Sequence, residues 1–213
     1  MCSGAMCDIL VTNELKRSIT VLLCVARGTP IVSSDWIEES FHVGQFAETT
    51  EFLIKDVSFE EKYDFCLVDT LKAAKAKKLL EGFHIYTTRN VVPSARKMKG
   101  IIECASGNHI SSLPKKRSGG DVIVVSSDKD LSDVVRRKAF GSGIPVVTSE
   151  FVLSGILKYD LNVEEHSMCN ATEPRWYHCR KYFYLVAVTK YNTCGRRGRL
   201  RLRQRLDWID TLC

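Results

Sequence analysis

A nine-residue segment occurs twice in this chain, 115 residues apart. Residues 28–36 read GTPIVSSDW and residues 143–151 read GIPVVTSEF. In both copies a glycine and a proline favour a turn after a helix, and the apolar residues that follow favour a short strand. The hydroxyl-bearing residue and the acid that come next favour the start of another helix. Two copies at this spacing indicate two similar domains rather than a solenoid, which needs more repeats.

The second copy is preceded by a longer run of predicted elements. Strands are predicted at 83–87, 109–113 and 123–126, and helices at 94–104 and 131–140. Together with the repeated segment they give the order β-α-β-β-α-β-α. Only one strand (9–12) and one helix (15–27) precede the first copy. We therefore expect the chain to begin inside a domain, with roughly 33 residues of the first repeat lying before Met1.

These patterns predict four parts. Residues 1–57 form a partial first repeat from its third strand onward, 58–81 a linker region, 82–165 a complete second repeat, and 166–213 a basic tail. Phe65 to Leu80 consists of strong helix formers with one apolar face, so the linker is expected to be a helix rather than a flexible tether. The tail is expected to be disordered or foreign to the two repeats.

The positive charge of the chain is concentrated in the tail. Of the 31 Lys and Arg residues and the 25 Asp and Glu residues, ten and five respectively lie in 161–213. The rest of the chain is close to neutral, so its charge gives no reason to expect nucleic-acid binding by the repeats. Direct contact with nucleic acid is expected only through the arginine run of the tail: Arg196, Arg197, Arg199, Arg201 and Arg203.

Several classes of function lack the residues that they need. The sequence has no glycine-rich phosphate loop, no nucleophile elbow and no paired His-Glu metal motif. We therefore expect no enzymatic activity, no cofactor, no bound metal and no small-molecule substrate. No run of about 18 apolar residues is present, so no membrane partner is expected. The nine cysteines are odd in number and irregularly spaced, which is typical of a reducing compartment.

The element order and the repeated signature resemble those of tandem BRCT domains. The resemblance rests on the order β-α-β-β-α-β-α, on the strand–Ser/Thr–x–Trp pattern from Val32 to Trp36 and on the helical linker, and it covers about residues 7–165. Phe151 stands where the second repeat usually has Trp, and we expect both aromatic residues to be core residues. The implied fold class is α/β: two BRCT repeats, each a four-stranded parallel sheet flanked by helices, with the first repeat incomplete.

The resemblance implies a scaffold or adaptor module of the DNA damage response, located in the nucleus. Members of the family read a phosphoserine and the residue three positions after it (+3) at the cleft between the repeats. The implied partner is thus a phosphorylated protein tail, such as that of a phosphorylated histone or checkpoint protein. A phosphate near −2 charge favours charge-assisted donors and backbone N–H groups. The alternative is a BRCT pair that binds proteins without reading phosphate.

The family's Arg-Thr-x-Lys motif reads Arg17-Ser18-Ile19-Thr20 in this chain. Arg17 matches the residue that reads the +3 backbone or carboxylate, for which its planar fork is suited. Thr20 replaces the phosphate-binding lysine and supplies one neutral hydrogen bond but no charge. Lys16, one turn away, is the candidate to compensate for that lysine.

Two further elements of the family's site can be placed on the sequence. Leu22 falls where the family has an aromatic floor for the +3 residue. Val92-Pro93 falls at the start of the second repeat's first helix, and Val92 replaces a usual amide side chain. The family's phosphate-binding Ser/Thr-Gly pair is expected in the segment before Met1. We therefore expect weak or no phosphopeptide binding by this chain, since losing one charged contact costs about 1.5–3 kcal/mol.

An incomplete first repeat has consequences for folding. Without its first two strands, residues 8–12 form an exposed sheet edge, and a two-stranded remnant is marginal alone. The resemblance implies that helix 15–27 packs against the first and third helices of the second repeat, through Ile19, Leu22, Leu23 and Val25. We expect a well-formed second repeat over 82–158 and a frayed first one.

Overall fold

The computed structural model describes residues 7–114, 121–130 and 132–168. It begins with a two-stranded parallel sheet and two helices: β1 (Leu10–Val11), α1 (Ile19–Arg27), β2 (Ile31–Val32) and α2 (Asp35–Val43). The Ser18 hydroxyl caps α1 by accepting from the N–H of Val21, and Gly28 ends the helix at φ 71°, which glycine adopts without strain. The helix predicted over 15–27 therefore begins only at Ile19, because its cap is Ser18.

Two helices link this part to the rest of the chain: α3 (Val57–Tyr63) and α4 (Leu67–Ala76). The second of them lies within the predicted linker helix and buries Leu67 and Leu71. The sequence did not indicate a separate α3. Its start is fixed by Asp56, whose carboxylate accepts a hydrogen bond from the N–H of Phe59, as an N-cap residue does.

The second repeat contains four strands and three helices: β3 (Phe83–Thr87), α5 (Ala95–Cys104), β4 (Asn108–His109), β5 (Asp121–Val125), α6 (Val134–Gly141), β6 (Val146–Val147) and α7 (Glu150–Lys158). The strands form one parallel sheet in the order β4-β3-β5-β6. The predicted α/β class and four-stranded parallel sheet are confirmed.

Two predicted boundaries in this repeat were wrong. The strand predicted over 109–113 is only the two-residue β4. The helix predicted over 131–140 begins only at Val134, and a separate 3-10 turn at Asp128–Asp130 precedes it. The later start arises because the Asp133 carboxylate caps α6, accepting from the N–H groups of Val135 and Arg136.

The two parts share one backbone pattern, so β1, α1, β2 and α2 correspond to β5, α6, β6 and α7. Equivalent backbone hydrogen bonds of 2.9 Å tie the strands together: Leu10 to Pro30 and Thr12 to Val32 in the first part, Val124 to Pro145 and Ser126 to Val147 in the second. In one respect the parts differ. Strand β5 has partners on both edges, whereas β1 pairs only with β2 among the described residues. Among the described residues β1 therefore lies at an edge of its sheet, as expected.

Helix α1 joins the first part to the second. It packs against α4, α5 and α7, and its Leu22 and Val25 lie in one continuous core with Ile101 of α5 and Ile156 of α7. The predicted packing on the first and third helices of the second repeat is confirmed, with α4 as an additional neighbour. Because buried apolar surface contributes about 25 cal/mol per Å², this packing supplies the stability that two short strands lack.

The linker is also fastened to the end of α7. The Thr70 hydroxyl donates to the carbonyl of Leu157 at 2.6 Å, and the Lys158 ammonium donates to the carboxylate of Asp64 at 2.9 Å. These contacts join α4 and the end of α3 to the last helix of the second repeat. The helical linker is therefore part of the packed structure rather than a tether.

The described chain stays in contact with the second repeat up to Met168, whose N–H donates to the carbonyl of Val146. Residues 169–213, including the arginine run from Arg196 to Arg203, lie outside the described residues. Within the described ranges no helix is both long and apolar enough to cross a bilayer. The same ranges hold no group of three or more His, Cys, Asp or Glu side chains placed to bind a metal ion.

Candidate functional site

A pocket of about 280 Å³ lies where β1 ends and α1 begins, and we call it the first pocket. It is lined by Leu10, Val11, Thr12, Glu14, Lys16, Ser18, Thr20 and Val21. Ligands of open parallel sheets bind beyond the carboxyl ends of the strands, and the first pocket has this position relative to β1. The structure therefore brings together two of the predicted site residues, Lys16 and Thr20, beside the hydroxyl of Ser18.

The first pocket offers little unpaired positive charge. Lys16 forms an ion pair with Glu14, and both side chains are exposed. Thr20 is exposed and supplies only a hydroxyl. Exposed ion pairs contribute about 0–1 kcal/mol, so a phosphate can compete with Glu14 for Lys16 at small cost. The first pocket thus provides hydroxyl groups and one lysine that an anion can recruit.

Arg17 lies at the junction of the two repeats. Its Nη2 donates to Oε2 of Glu150, in the first turn of α7, at 2.5 Å. Its guanidinium carbon is 5.2 Å from the ring centroid of Tyr63, which is within cation–π range. Glu150 in turn accepts a hydrogen bond of 2.6 Å from the hydroxyl of Ser154. Residues from α3 and α7 therefore fix the guanidinium, and its Nε–H has no acceptor among the described residues.

Opposing effects act on the pKa of Glu150. Burial by itself raises it, but hydrogen bonds from Ser154 and Arg17, with the charges of Arg17 and His166, outweigh burial and hold the pKa below its usual value. A carboxyl whose pKa falls on folding stabilises the fold above its unfolded-state pKa, and that contribution is lost as the pH drops through the lowered value. At neutral pH the ion pair between Arg17 and Glu150 is therefore fully charged.

The other predicted site residues do not line the first pocket. Leu22 is 2% exposed and lies in the core between the repeats. Val92 is 77% exposed, and it lies with Pro93 in the loop between β3 and α5. A +3 pocket built from these three residues stays a prediction.

The neighbours of Arg17 were not found by sequence reasoning. The sequence indicates Glu150 only as a favourable acid at the start of its helix, and no motif marks Tyr63 or Ser154. Their roles depend on how the repeats dock, because Glu150 is 133 residues from Arg17 along the chain. The one available signal was the repeat itself, which places an acid at the start of both α2 and α7.

A larger pocket, of about 630 Å³, lies at the carboxyl ends of β3 and β5, and we call it the second pocket. It is lined by Tyr86, Thr87, Thr88, Arg89, Asn90, Ser94, Ala95, Arg96, Lys129, Asp130, Ser132 and Asp133. Sequence reasoning did not identify it. The lining residues come from two stretches, 86–96 and 129–133, which are more than 30 residues apart in the sequence, so only the fold brings them together.

The buried carboxylate of Asp130 orders one wall of the second pocket. It accepts hydrogen bonds from the Thr88 hydroxyl at 2.6 Å and from the side-chain and backbone N–H groups of Asn90 at 2.6 and 3.1 Å. Burial raises the pKa of Asp130, but these bonds, with one from Ser127, outweigh it and hold the pKa below its usual value. The charged carboxylate therefore serves to fix the loop after β3.

Comparison with known proteins identifies the architecture. Residues 78–167 match the family model described as the BRCT domain. The BRCT5-BRCT6 domains of S. pombe Brc1 share the fold with a TM-score of 0.59 and 19% identity, over 74% of this chain and 80% of that one. Rtt107p, residues 820–1070, is similar with a TM-score of 0.50 and 7% identity, over 76% of this chain and 77% of that one.

Curated relatives are similar over the same region. Mediator of DNA damage checkpoint protein 1 of Pan troglodytes is 32% identical over 162 residues, which are 76% of this chain and 7% of that protein. PAX-interacting protein 1 of Bos taurus is 30% identical over 173 residues, 77% of this chain and 17% of that protein. The chain thus spans less than a fifth of the length of either relative. Residues 78–167, which contain the complete second repeat, therefore form a BRCT domain.

Proposed function

We propose that this chain is a protein-interaction module of the DNA damage response that binds a phosphorylated protein tail in the nucleus, at the junction of its two repeats. Two relatives are named for the DNA damage checkpoint and for the DNA damage response, which supports that cellular context. An adaptor role without catalysis agrees with a site made of hydrogen-bond donors and an ion pair.

The position of Arg17 carries the proposal. A guanidinium held at the junction by Glu150 is fixed in place before a ligand arrives, so little side-chain entropy is lost on binding. Its fork of donors suits a carboxylate or a backbone carbonyl. We propose that Arg17 reads the +3 residue or the terminal carboxylate of the bound tail, and that Glu150 is the residue that positions it.

The first pocket would take the phosphate. Ser18 and Thr20 offer hydroxyl groups there, and Lys16 becomes available when an anion displaces Glu14. These are weaker donors than a dedicated lysine, because charged hydrogen bonds are about twice as strong as neutral ones. The expected affinity for a phosphorylated tail is therefore low.

The test is a titration of the full chain with four peptides of one sequence that contains Ser-x-x-Tyr. The peptides carry serine or phosphoserine and end at Tyr with a free carboxylate or an amide. We expect the phosphorylated free acid to bind tightest by NMR titration. Arg17→Ala should weaken it about tenfold or more, the effect of one lost charged hydrogen bond, and abolish the preference for the free acid.

Lys55→Ala is the matched control, because Lys55 is an exposed cation of the first part that lines neither pocket. It should leave all four affinities within about twofold, as expected of an exposed charge that forms no ion pair with the described residues. Equal binding of phosphorylated and unphosphorylated peptides would overturn the proposal that the chain recognises phosphate. An unchanged affinity in Arg17→Ala would overturn the role given to Arg17.

A second candidate is a module that binds proteins without reading phosphate. The observation that favours it is the composition of the first pocket, where Thr20 stands without charge and Lys16 is already paired with Glu14. This candidate predicts that the serine and phosphoserine peptides bind equally, so the same titration decides between the two.

A further inference from the structure

We propose that the second pocket is an independent binding site for a phosphoryl group. The two pockets occupy equivalent places in the two repeats. The first lies between the end of β1 and the start of α1, and the second between their counterparts, the end of β5 and the start of α6. The second pocket has additional walls from the end of β3 and the start of α5, which have no counterparts among the described residues of the first repeat. Its volume is about 630 Å³ against about 280 Å³.

The cations that line the second pocket are available to bind an anion. Arg89, Arg96 and Lys129 line it, and none of them forms an ion pair within the described part of the chain. The first pocket, by contrast, has one lysine that is paired with Glu14. Three cations without partners around one cavity repel one another, and a bound anion relieves that repulsion.

Two carboxylates also line the second pocket, but both are engaged by the protein. Asp130 is buried and accepts from Thr88 and Asn90, and Asp133 accepts from the N–H groups at the start of α6. Hydrogen bonds of this kind occupy acceptor positions of both carboxylates. The three cations exceed the two carboxylates in number. Among the described residues the cations have no hydrogen-bond acceptor, whereas both carboxylates have donors.

The chemistry of the lining favours a phosphoryl group over a carboxylate. A phosphoryl group carries about −1.5 to −2 charges and three acceptor oxygens, which matches several cations with neighbouring hydroxyl donors. Ser94 and Ser132 supply such hydroxyls, and Ser94 makes no side-chain bond to the helix that it precedes. A carboxylate, with a single charge, would leave more of the positive charge unpaired.

The experiment is an NMR titration of the full chain with inorganic phosphate, a phosphoserine peptide and the same peptide with serine. We expect saturable shifts of the amides of residues 88–90 and 95–96 with both phosphate-bearing ligands and none with the serine peptide. Tighter binding of the phosphopeptide identifies a peptide as the source of the phosphoryl group, and equal binding identifies free phosphate. Arg89→Ala with Arg96→Ala should weaken the binding about tenfold or more, since two charged donors are removed.

Lys97→Ala with Arg137→Ala is the charge-matched control, because both residues are exposed and neither lines the second pocket. It should change the affinity less than about twofold. Equal weakening by both double variants, or an absence of saturable shifts at 88–90, would overturn the proposal. Arg17→Ala should leave these shifts unchanged, so failure of the second pocket and failure of the proposed function at Arg17 give different results.

Discussion

Replacing Phe151 with alanine is expected to lower the free energy of unfolding by about 3–5 kcal/mol, the usual cost of removing a large aromatic side chain from a core. Phe151 is 0% exposed in α7, and its ring centroid lies 6.5 Å from that of Phe83 in β3, in an edge arrangement. The core around Phe151 also contains the residues of α1 that face the second repeat. The substitution should therefore destabilise the whole described fold, as measured by urea denaturation.

Phe41→Ala is the control for this measurement. Phe41 belongs to α2, the counterpart of α7, and is 83% exposed. Its replacement should change the stability by no more than about 0.5 kcal/mol, as for most surface substitutions. A loss below about 1 kcal/mol in Phe151→Ala would mean that Phe151 is not packed as the structure has it.

Thr20→Lys is expected to raise the affinity for the phosphorylated Ser-x-x-Tyr peptide by about 10- to 100-fold. Thr20 is exposed and lines the first pocket beside Ser18 and Lys16. A lysine there adds a charge-assisted hydrogen bond to phosphate, which contributes about 1.5–3 kcal/mol. The affinity for the unphosphorylated peptide should stay nearly constant, so the ratio of the two affinities reports the gain.

Thr50→Lys adds the same charge to an exposed turn that lines neither pocket. It should leave the ratio of the two affinities unchanged, because separated surface charges are screened within about 8–10 Å at physiological salt. A similar gain in both variants would point to general attraction between unlike charges. No gain in Thr20→Lys would show that the first pocket is not the phosphate site.

The repeated segment predicted two similar parts, and the family resemblance that it supports predicted the four-stranded parallel sheet. Both copies carry the same turn, strand and helix-start chemistry, and each forms its strand and helix for local reasons. Gly28 takes the left-handed conformation that ends α1, and Trp36 and Phe151 are buried at the start of equivalent helices. The packing of α1 on the second repeat was predicted from the family resemblance, and the apolar residues of α1 agree with it.

The details of both pockets could not be predicted in the same way. The ion pair between Arg17 and Glu150 depends on the docking of α1 against α7, which no local pattern encodes. The start of α1 shifted because the Ser18 hydroxyl competes successfully as a cap. The second pocket collects Arg89, Arg96 and Lys129 from separate elements, and each of them alone has the sequence pattern of an ordinary surface charge.

Hydrogen exchange of the backbone amides tests the central claim that α1 and the second repeat form one cooperative unit with a fixed junction. Amides that exchange only when the whole protein unfolds are the most strongly protected from hydrogen exchange. We predict that residues 23–27 of α1 are protected as strongly as residues 154–158 of α7, and that β1 is protected less than β5. Fast exchange throughout α1 beside a protected α7 would contradict the account, because Arg17 would then have no fixed place at the junction.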